Sequence, residues 1–325
     1  MLRLGVMGCA DIAVSRVIPG LNGSDSTDVC ALASRDGKKA LTWAKKLGIR
    51  HHFSSYDEML ENVGIDAVYI PLPNSLHSKW TLRALEKGKH VLCEKPLALS
   101  NGEVRRMIRV ARERNLVLQE GFMYRFHPRN RAVLEMVRRG DIGELRSMES
   151  SFSYVLDGTE SYLMNRELGG GALYDVGCYC VHVSRMVMGC EPVEVFGSSV
   201  LTKTNVDMSF TGVMRYPGNI VSCFHVSMDE EPRFTYRVVG RDGLIEVPWA
   251  FVSFGKETHV IVQKNEKQEK VSFEGVNEYN LQFEHFADCA LRNAEPLFAI
   301  EDSLKNAYVL EALLKSADEG KPLRV

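Results

Sequence analysis

The run Leu2-Arg3-Leu4-Gly5-Val6-Met7-Gly8-Cys9-Ala10-Asp11-Ile12-Ala13 decides the fold. Its first half is a short apolar stretch ending on glycine. From Asp11 onward, Ile12, Val14, Val17, Ile18 and Leu21 recur at the spacing of a helix packed on a sheet. A strand that turns into a helix at Gly8 leaves backbone N–H groups and the positive helix end facing outward, which suits a phosphate. Gly8 to Ala13 occupy the place of the dinucleotide fingerprint G-x-G-x-x-G/A, with Ala10 where the middle glycine would be. A plain strand-to-helix turn would use the same residues; the pattern of the next hundred residues favours the fingerprint.

Strand and helix keep alternating. Residues 29–33 read as a second strand, followed by a helix with Ala40, Leu41, Ala44 and Leu47 on one face and Gly48 at its stop. Further buried strands are read at 66–70, 90–93 and 116–119, separated by helices at 78–87 and 103–114. Such alternation implies a parallel sheet covered on both faces. After about residue 141 the pattern changes to strands at 144–154, 193–201, 206–216, 220–226 and 234–239. Tyr216-Pro217-Gly218-Asn219 and Arg241-Asp242-Gly243 serve as hairpin turns between strands. One helix, at 173–188, interrupts this part, and two more, at 279–292 and 301–316, close the chain. The expected fold class is α/β. A Rossmann-type parallel sheet over residues 1–122 precedes an α+β domain over residues 123–325 with an open, mainly antiparallel sheet. The closing helices are free to pack back on the first domain.

Composition narrows the partners. A chain of 325 residues with 45% hydrophobic and 25% charged residues has the length for two domains and the composition of a globular core. A formal charge of −2 supplies no broad positive field, so a small molecule is expected rather than nucleic acid or an anionic membrane. No apolar run approaches the ~20 residues of a membrane span, and the N-terminus enters a strand pattern without the regions of a signal peptide. Cys9, Cys30, Cys93, Cys178, Cys180, Cys190, Cys223 and Cys289 show no C-x-x-C pairing. They read as small buried apolar fillers in a reduced cytoplasm, with no metal site.

Three further segments carry chemistry. At the end of the second strand, where an NAD-selective site places a carboxylate on the ribose, stand Ser34 and Arg35. A hydroxyl and a guanidinium suit a 2′-phosphate, hence NADP(H) over NAD(H), while Ser34 or Asp36 could equally cap the next helix. Pro71, Leu72, Asn74 and His77 follow one strand and Glu94 and Lys95 follow another, on the side where such sheets bind ligands. Lys95, partly desolvated there, suits proton traffic, unless it is a surface lysine in a proline turn. Gly169-Gly170-Gly171 open a helix on which Asp175 and Tyr179, four apart, share a face.

Together these segments and Gly121-Phe122-Met123-Tyr124-Arg125-Phe126-His127-Pro128 resemble the glucose-fructose oxidoreductase, inositol dehydrogenase and rhizopine-catabolism (Gfo/Idh/MocA) family, in order and spacing along the whole chain. The resemblance implies nicotinamide redox chemistry, a cofactor site at Gly8, Cys9, Ala10, Asp11, Ile12, Ser34, Arg35, Pro71, Leu72, Asn74, His77, Glu94 and Lys95, and a substrate pocket in the second domain. It makes Lys95 the catalytic lysine and Asp175 a positioning carboxylate. Where many members have His four residues after that Asp, this chain has Tyr179, which resembles the branch of deoxysugar 3-ketoreductases, aldose dehydrogenases and dihydrodiol dehydrogenases. There a tyrosine moves the proton, with the nearby lysine favouring phenolate. His182 is read as structural. Residues 157–168 depart from the family pattern, which leaves Arg125, Tyr162 and Arg166 as candidates for substrate contact. The expected reaction is NADPH-dependent reduction of a keto-sugar. Oxidation of an aldose or cyclic diol is the alternative, and a non-enzymatic NADP sensor a remote one. A homodimer or homotetramer is expected, because the outer face of the open sheet needs cover.

Overall fold

The computed structural model describes residues 1–62, 64–158 and 161–325, and every element named below belongs to them. They form two compact units, residues 1–123 with 279–304, and residues 124–278 with 305–325.

The first unit holds β1 (Leu2–Met7), β2 (Thr27–Ala33), β3 (His51–Phe53), β4 (Ala67–Ile70), β5 (His90–Cys93) and β6 (Leu118–Glu120) in the order β3-β2-β1-β4-β5-β6. Every pairing is parallel. Winding reverses between β1 and β4, the switch point at which open parallel sheets bind ligands. Leu2, Leu4 and Val6 share a core with Val14, Val17 and Ile18 of the first helix and with Phe283 and Phe286 of the helix Glu278–Arg292. Local chemistry sets the helix ends. Asp36 accepts from Lys38 N at 2.9 Å and Lys39 N at 3.1 Å to start Gly37–Leu47, and Gly48, at φ 69°, stops it. β3 and the helix Tyr56–Leu60 fall in a stretch for which no element is expected from the sequence, because three- and five-residue elements are too short to show a period.

The second unit is built on β7 (Leu145–Val155), β8 (Glu194–Leu201), β9 (Asp207–Tyr216), β10 (Ile220–Ser227), β11 (Asp229–Gly240), β12 (Gly243–Val247), β13 (Thr258–Lys264), β14 (Lys267–Phe273) and β15 (Leu323–Arg324). Their order is β14-β13-β12-β11-β7-β10-β9-β8-β15. β7 and β10 pair in parallel and the other neighbours are antiparallel. Met148, Phe152, Phe210, Met214, Phe224, Val226, Tyr236 and Val238 alternate onto the buried face, against the helix Cys178–Met188. β12 to β15 were not foreseen beyond the turn that opens β12; β14 is edge-placed and mostly exposed, so its Lys267-Gln268-Glu269-Lys270 has no apolar alternation. The helix Pro128–Arg139 was also unforeseen. Its buried residues are Arg129, Asn130 and Val133, so polar side chains replace the apolar stripe.

All eight cysteines are free thiols. Cys190 and Cys223 are exposed, which corrects the reading of all eight as buried fillers. Cys190 lies just past the helix stop Gly189, and Cys223 sits on the open sheet face between the buried Ser222 and Phe224. Among the described residues no helix is long and apolar enough to cross a membrane, and no group of His, Cys, Asp or Glu could hold a metal ion.

Candidate active site

In the first unit, residues from four strand ends converge. Gly8 N donates to Ala33 O at 2.8 Å, tying the end of β1 to that of β2. Gly8 has φ +107°, and a Cβ there would meet Leu72 Cδ2 at 2.9 Å, so only glycine lets Leu72 close over the turn. Ala10 O accepts from Ala13 N at 3.0 Å and Val14 N at 3.1 Å, which starts the first helix with Cys9, Asp11 and Ile12 around its opening turn. Asp11 is exposed and takes the Ser15 hydroxyl on its carbonyl at 2.6 Å.

Beyond β2, Ser34 is buried and its hydroxyl accepts from Asp36 N at 3.2 Å. Asp36 spends its carboxylate on the two helix N–H groups described above. The acidic group nearest the expected ribose position is thus already engaged. Arg35 is exposed and interacts with the hydroxyl of Tyr56, whose pKa is raised mainly by burial. The Tyr56 ring meets Trp80 edge-on at 4.9 Å. Burial likewise pushes the Cys9 thiol up, with Lys39 and the Ser34 hydroxyl opposing.

The loops after β4 and β5 are fastened to each other. Pro71, Leu72 and Asn74 are buried. His77 has no exposed surface, and its ring nitrogens lie 2.8 Å from Pro96 O and 2.7 Å from Leu72 O. Burial brings its pKa down to about 4, with the Lys95 charge acting in the same direction. His77 therefore pins the two loops together from behind, which corrects its placement among residues touching a cofactor. Tyr69 donates to Glu94 Oε1 at 2.6 Å, and Leu97 N to Glu120 Oε1 at 2.8 Å. Lys95 is partly buried, and the Lys95–Pro96 peptide is cis.

In the second unit the glycine run is a packing device. Gly171 has φ +119°, and any Cβ would overlap the Asp207 carboxylate; a Cβ on Gly170 would overlap the Leu163 carbonyl. Asp207 Oδ2 accepts from Leu173 N at 2.7 Å, capping the helical turn Leu173–Gly177 that continues into Cys178–Met188. Burial raises the Asp207 pKa to about 6, against the Leu173 N–H and the Arg166 charge. On that turn Tyr154 of β7 donates to Asp175 Oδ2 at 2.6 Å and fixes the carboxylate. Tyr179 is 5% exposed, with ring centres 5.3 Å from Phe152, 5.6 Å from Tyr124 and 5.6 Å from Phe251.

A buried polar relay backs this aromatic box. Arg125 donates from Nη1 to His182 Nε2 at 2.9 Å, so Nδ1 carries the proton and donates to the Tyr124 hydroxyl. Arg125, a candidate substrate ligand, is 6% exposed and contributes to this relay. Tyr162 opens the short turn Tyr162–Met164 and is partly buried; Arg166 is exposed and donates to Asn205 O at 3.5 Å. Residues 159 and 160 of the divergent stretch lie outside the described ones. Reasoning from the chain alone missed Tyr154, Tyr124, Phe152, Phe251 and Asp207. Two signals were available: Phe152 and Tyr154 alternate on one strand face, and His182 stands one helical turn beyond Tyr179.

Residues 2–122 match a family model described as an oxidoreductase family with an NAD-binding Rossmann fold, and residues 130–246 match the C-terminal domain of the same Gfo/Idh/MocA family. An uncharacterised oxidoreductase of Rhizobium meliloti is 36% identical, covering 98% of both chains. A D-xylose 1-dehydrogenase (NADP(+)) of Haloferax volcanii is 33% identical, also covering 98% of both. The crystal structure of a 3-ketoreductase from Actinomadura kijaniata, in complex with NADP and TDP-benzene, superposes with a TM-score of 0.93 at 30% identity over 97% of each chain. The chain is a member of the Gfo/Idh/MocA oxidoreductase family.

Proposed function

We propose that this chain is an NADP(H)-dependent oxidoreductase acting on a sugar carbon that bears oxygen, and that it reduces a keto-sugar, nucleotide-linked sugars included. The carrying observation is the helical turn that presents Asp175, locked by the Tyr154 hydroxyl, one turn before Tyr179 in its aromatic box. A phenol so held can pass one proton to or from a carbinol oxygen, and the fixed carboxylate can orient an adjacent hydroxyl. Lys95 is assigned the role of catalytic lysine that the family resemblance gives it. When bound, the nicotinamide supplies or takes the hydride.

The residues present fit that cofactor. Gly8, Cys9, Ala10, Asp11 and Ile12 offer the helix opening to a pyrophosphate. Ser34 and Arg35 are assigned to a 2′-phosphate, which the commitment of Asp36 to its helix favours over a free ribose hydroxyl. Pro71, Leu72, Asn74 and Glu94 are assigned to the nicotinamide half, with His77 holding their loops. The likeness to a D-xylose 1-dehydrogenase favours, as second reading, the same chemistry in reverse on an aldose or cyclic diol. A cytoplasmic setting accords with eight free thiols. A homodimer or homotetramer would cover Phe196, Val213 and Val221 on the outer sheet face, which light scattering would test.

The deciding experiment monitors NADPH and NADH oxidation against keto-sugars and nucleotide-linked keto-sugars, with aldoses and diols plus NADP in the reverse direction. Turnover of a keto-sugar with NADPH supports the first reading; turnover confined to aldoses or diols supports the second. Tight NADP binding without hydride transfer to any of them would overturn both in favour of a sensor.

A further inference from the structure

We propose that Trp249 is the platform of a second ring-binding subsite, where a ring with a face able to stack on indole, carried by the substrate away from its reacting carbon, packs. That ring is a nucleobase or a second pyranose. The inference rests on the sugar chemistry proposed above.

Trp249 is 52% exposed and Phe254 48%, and their rings meet at 6.3 Å. Two large aromatics thus keep about half their surface in solvent while touching each other. Both have positive φ, 53° and 54°, a region that bulky side chains rarely enter and that concentrates at ligand sites. The turn is held in that shape from beneath. Arg129, 1% exposed, donates from Nη1 to Pro248 O at 3.5 Å and from Nη2 to Ala250 O at 2.6 Å, the carbonyls on either side of Trp249. Asn130 Nδ2 also reaches Ala250 O, at 3.3 Å, and its Oδ1 accepts from the Tyr236 hydroxyl at 3.0 Å. Burying a guanidinium is costly, and this one is spent on a turn whose outward product is an exposed indole.

The platform is continuous with the candidate catalytic tyrosine. Ring centres step from Tyr179 to Phe152 at 5.3 Å, from Phe152 to Phe234 at 4.9 Å and from Phe234 to Trp249 at 5.4 Å, the last pair stacked. Trp249 thus lies three ring contacts from Tyr179 within one unit. Indole and phenyl faces stack on nucleobases without regard to sequence, and on the apolar faces of sugars.

The test uses the full-length protein saturated with NADP. Of its three tryptophans, Trp43 and Trp80 are replaced by Phe, so that Trp249 alone reports. Titration with thymidine diphosphate, and separately with maltose, is expected to quench its fluorescence with one of the two, which also identifies the ring. In the kinetic arm, Trp249→Ala is expected to lower roughly tenfold the ratio of kcat/KM for a two-ring substrate over its single-ring counterpart, and Trp249→Phe to restore most of it. No quenching by either probe, or an unchanged ratio, overturns the proposal. So does a change of oligomer size in Trp249→Ala with the ratio preserved, which would assign the patch to a contact between copies. Quenching needs no turnover, so a protein inert towards every sugar would defeat the proposed reaction while leaving this subsite separately decided.

Discussion

Replacing Gly171 by alanine tests whether the glycine run supports the helix that bears Asp175 and Tyr179. Two costs are legible. Gly171 sits at φ +119°, where a residue with a Cβ is strained by on the order of 1–3 kcal/mol. The new Cβ would also land within the Asp207 carboxylate, 2.9 Å from its Cγ, while that carboxylate accepts from Leu173 N at 2.7 Å. Asp207 is buried, so it can make room only by leaving Leu173, which removes a charged hydrogen bond worth about 1.5–3 kcal/mol. The total, about 2.5–6 kcal/mol, is a large share of the 5–15 kcal/mol of a typical fold. Gly189→Ala, at the other end of the same helix, is the control. Its φ is +67° with nothing within 4 Å of the added methyl, so only the backbone cost applies, about 1 kcal/mol. Urea denaturation followed by circular dichroism, with kcat/KM measured where each variant is folded, separates the two. Gly171→Ala is expected to lose at least ~1.5 kcal/mol more than Gly189→Ala and most of its turnover. Equal losses in both variants would refute the idea that Asp207 and Gly171 lock the helix.

Three further outcomes are expected. Tyr179→Phe keeps the ring contacts and removes the proton carrier, so kcat should fall about 10²-fold or more while the NADP dissociation constant stays within about twofold; full activity would remove Tyr179 from the mechanism. Arg35→Ala should raise KM for NADPH roughly tenfold and leave KM for NADH nearly unmoved, whereas equal rises would show that Arg35 does not face a 2′-phosphate. His127 accepts from Arg129 N at 3.1 Å, and burial, helped by the Arg129 charge, brings its pKa to about 4 against an ordinary 6.5. The unfolded chain therefore binds the proton more tightly, and the stability present above pH 6.5 is lost as pH falls through 4, up to about 3 kcal/mol. Melting temperatures at pH 7.5 and 4.5 should show a smaller drop for His127→Gln than for the unaltered protein.

Periodicity made the core elements readable because the forces behind it are local. Val6 beside Gly8, the helical spacing of Val14, Val17 and Ile18, and the Gly48 stop each state their conformation within a few residues. Edge strands escape that reading. The solvent-facing residues of β14 are held by pairing with β13, partners that a linear scan has no means to assign. The helix Pro128–Arg139 escapes for a related reason, since Arg129 and Asn130 are buried on backbone carbonyls more than a hundred positions away.

The same distinction separates the site residues. Lys95, Asp175 and Tyr179 are proposed from motif spacing and helix geometry, which act over a few residues. Tyr154 and Asp207, which fix that helix, lie 21 and 34 positions from their partners and become visible only when the sheet is assembled. Motifs also overreach. His77 and Arg125 stand in segments that carry chemistry, and a linear reading has no access to burial, so both looked like ligand contacts. In the fold, His77 lies between two carbonyls and Arg125 donates to His182, bonds that a linear reading does not show. A motif thus marks a neighbourhood, and the hydrogen bonds formed in the fold say what each residue of it holds; Trp249, outside every motif, is exposed where His77 is not.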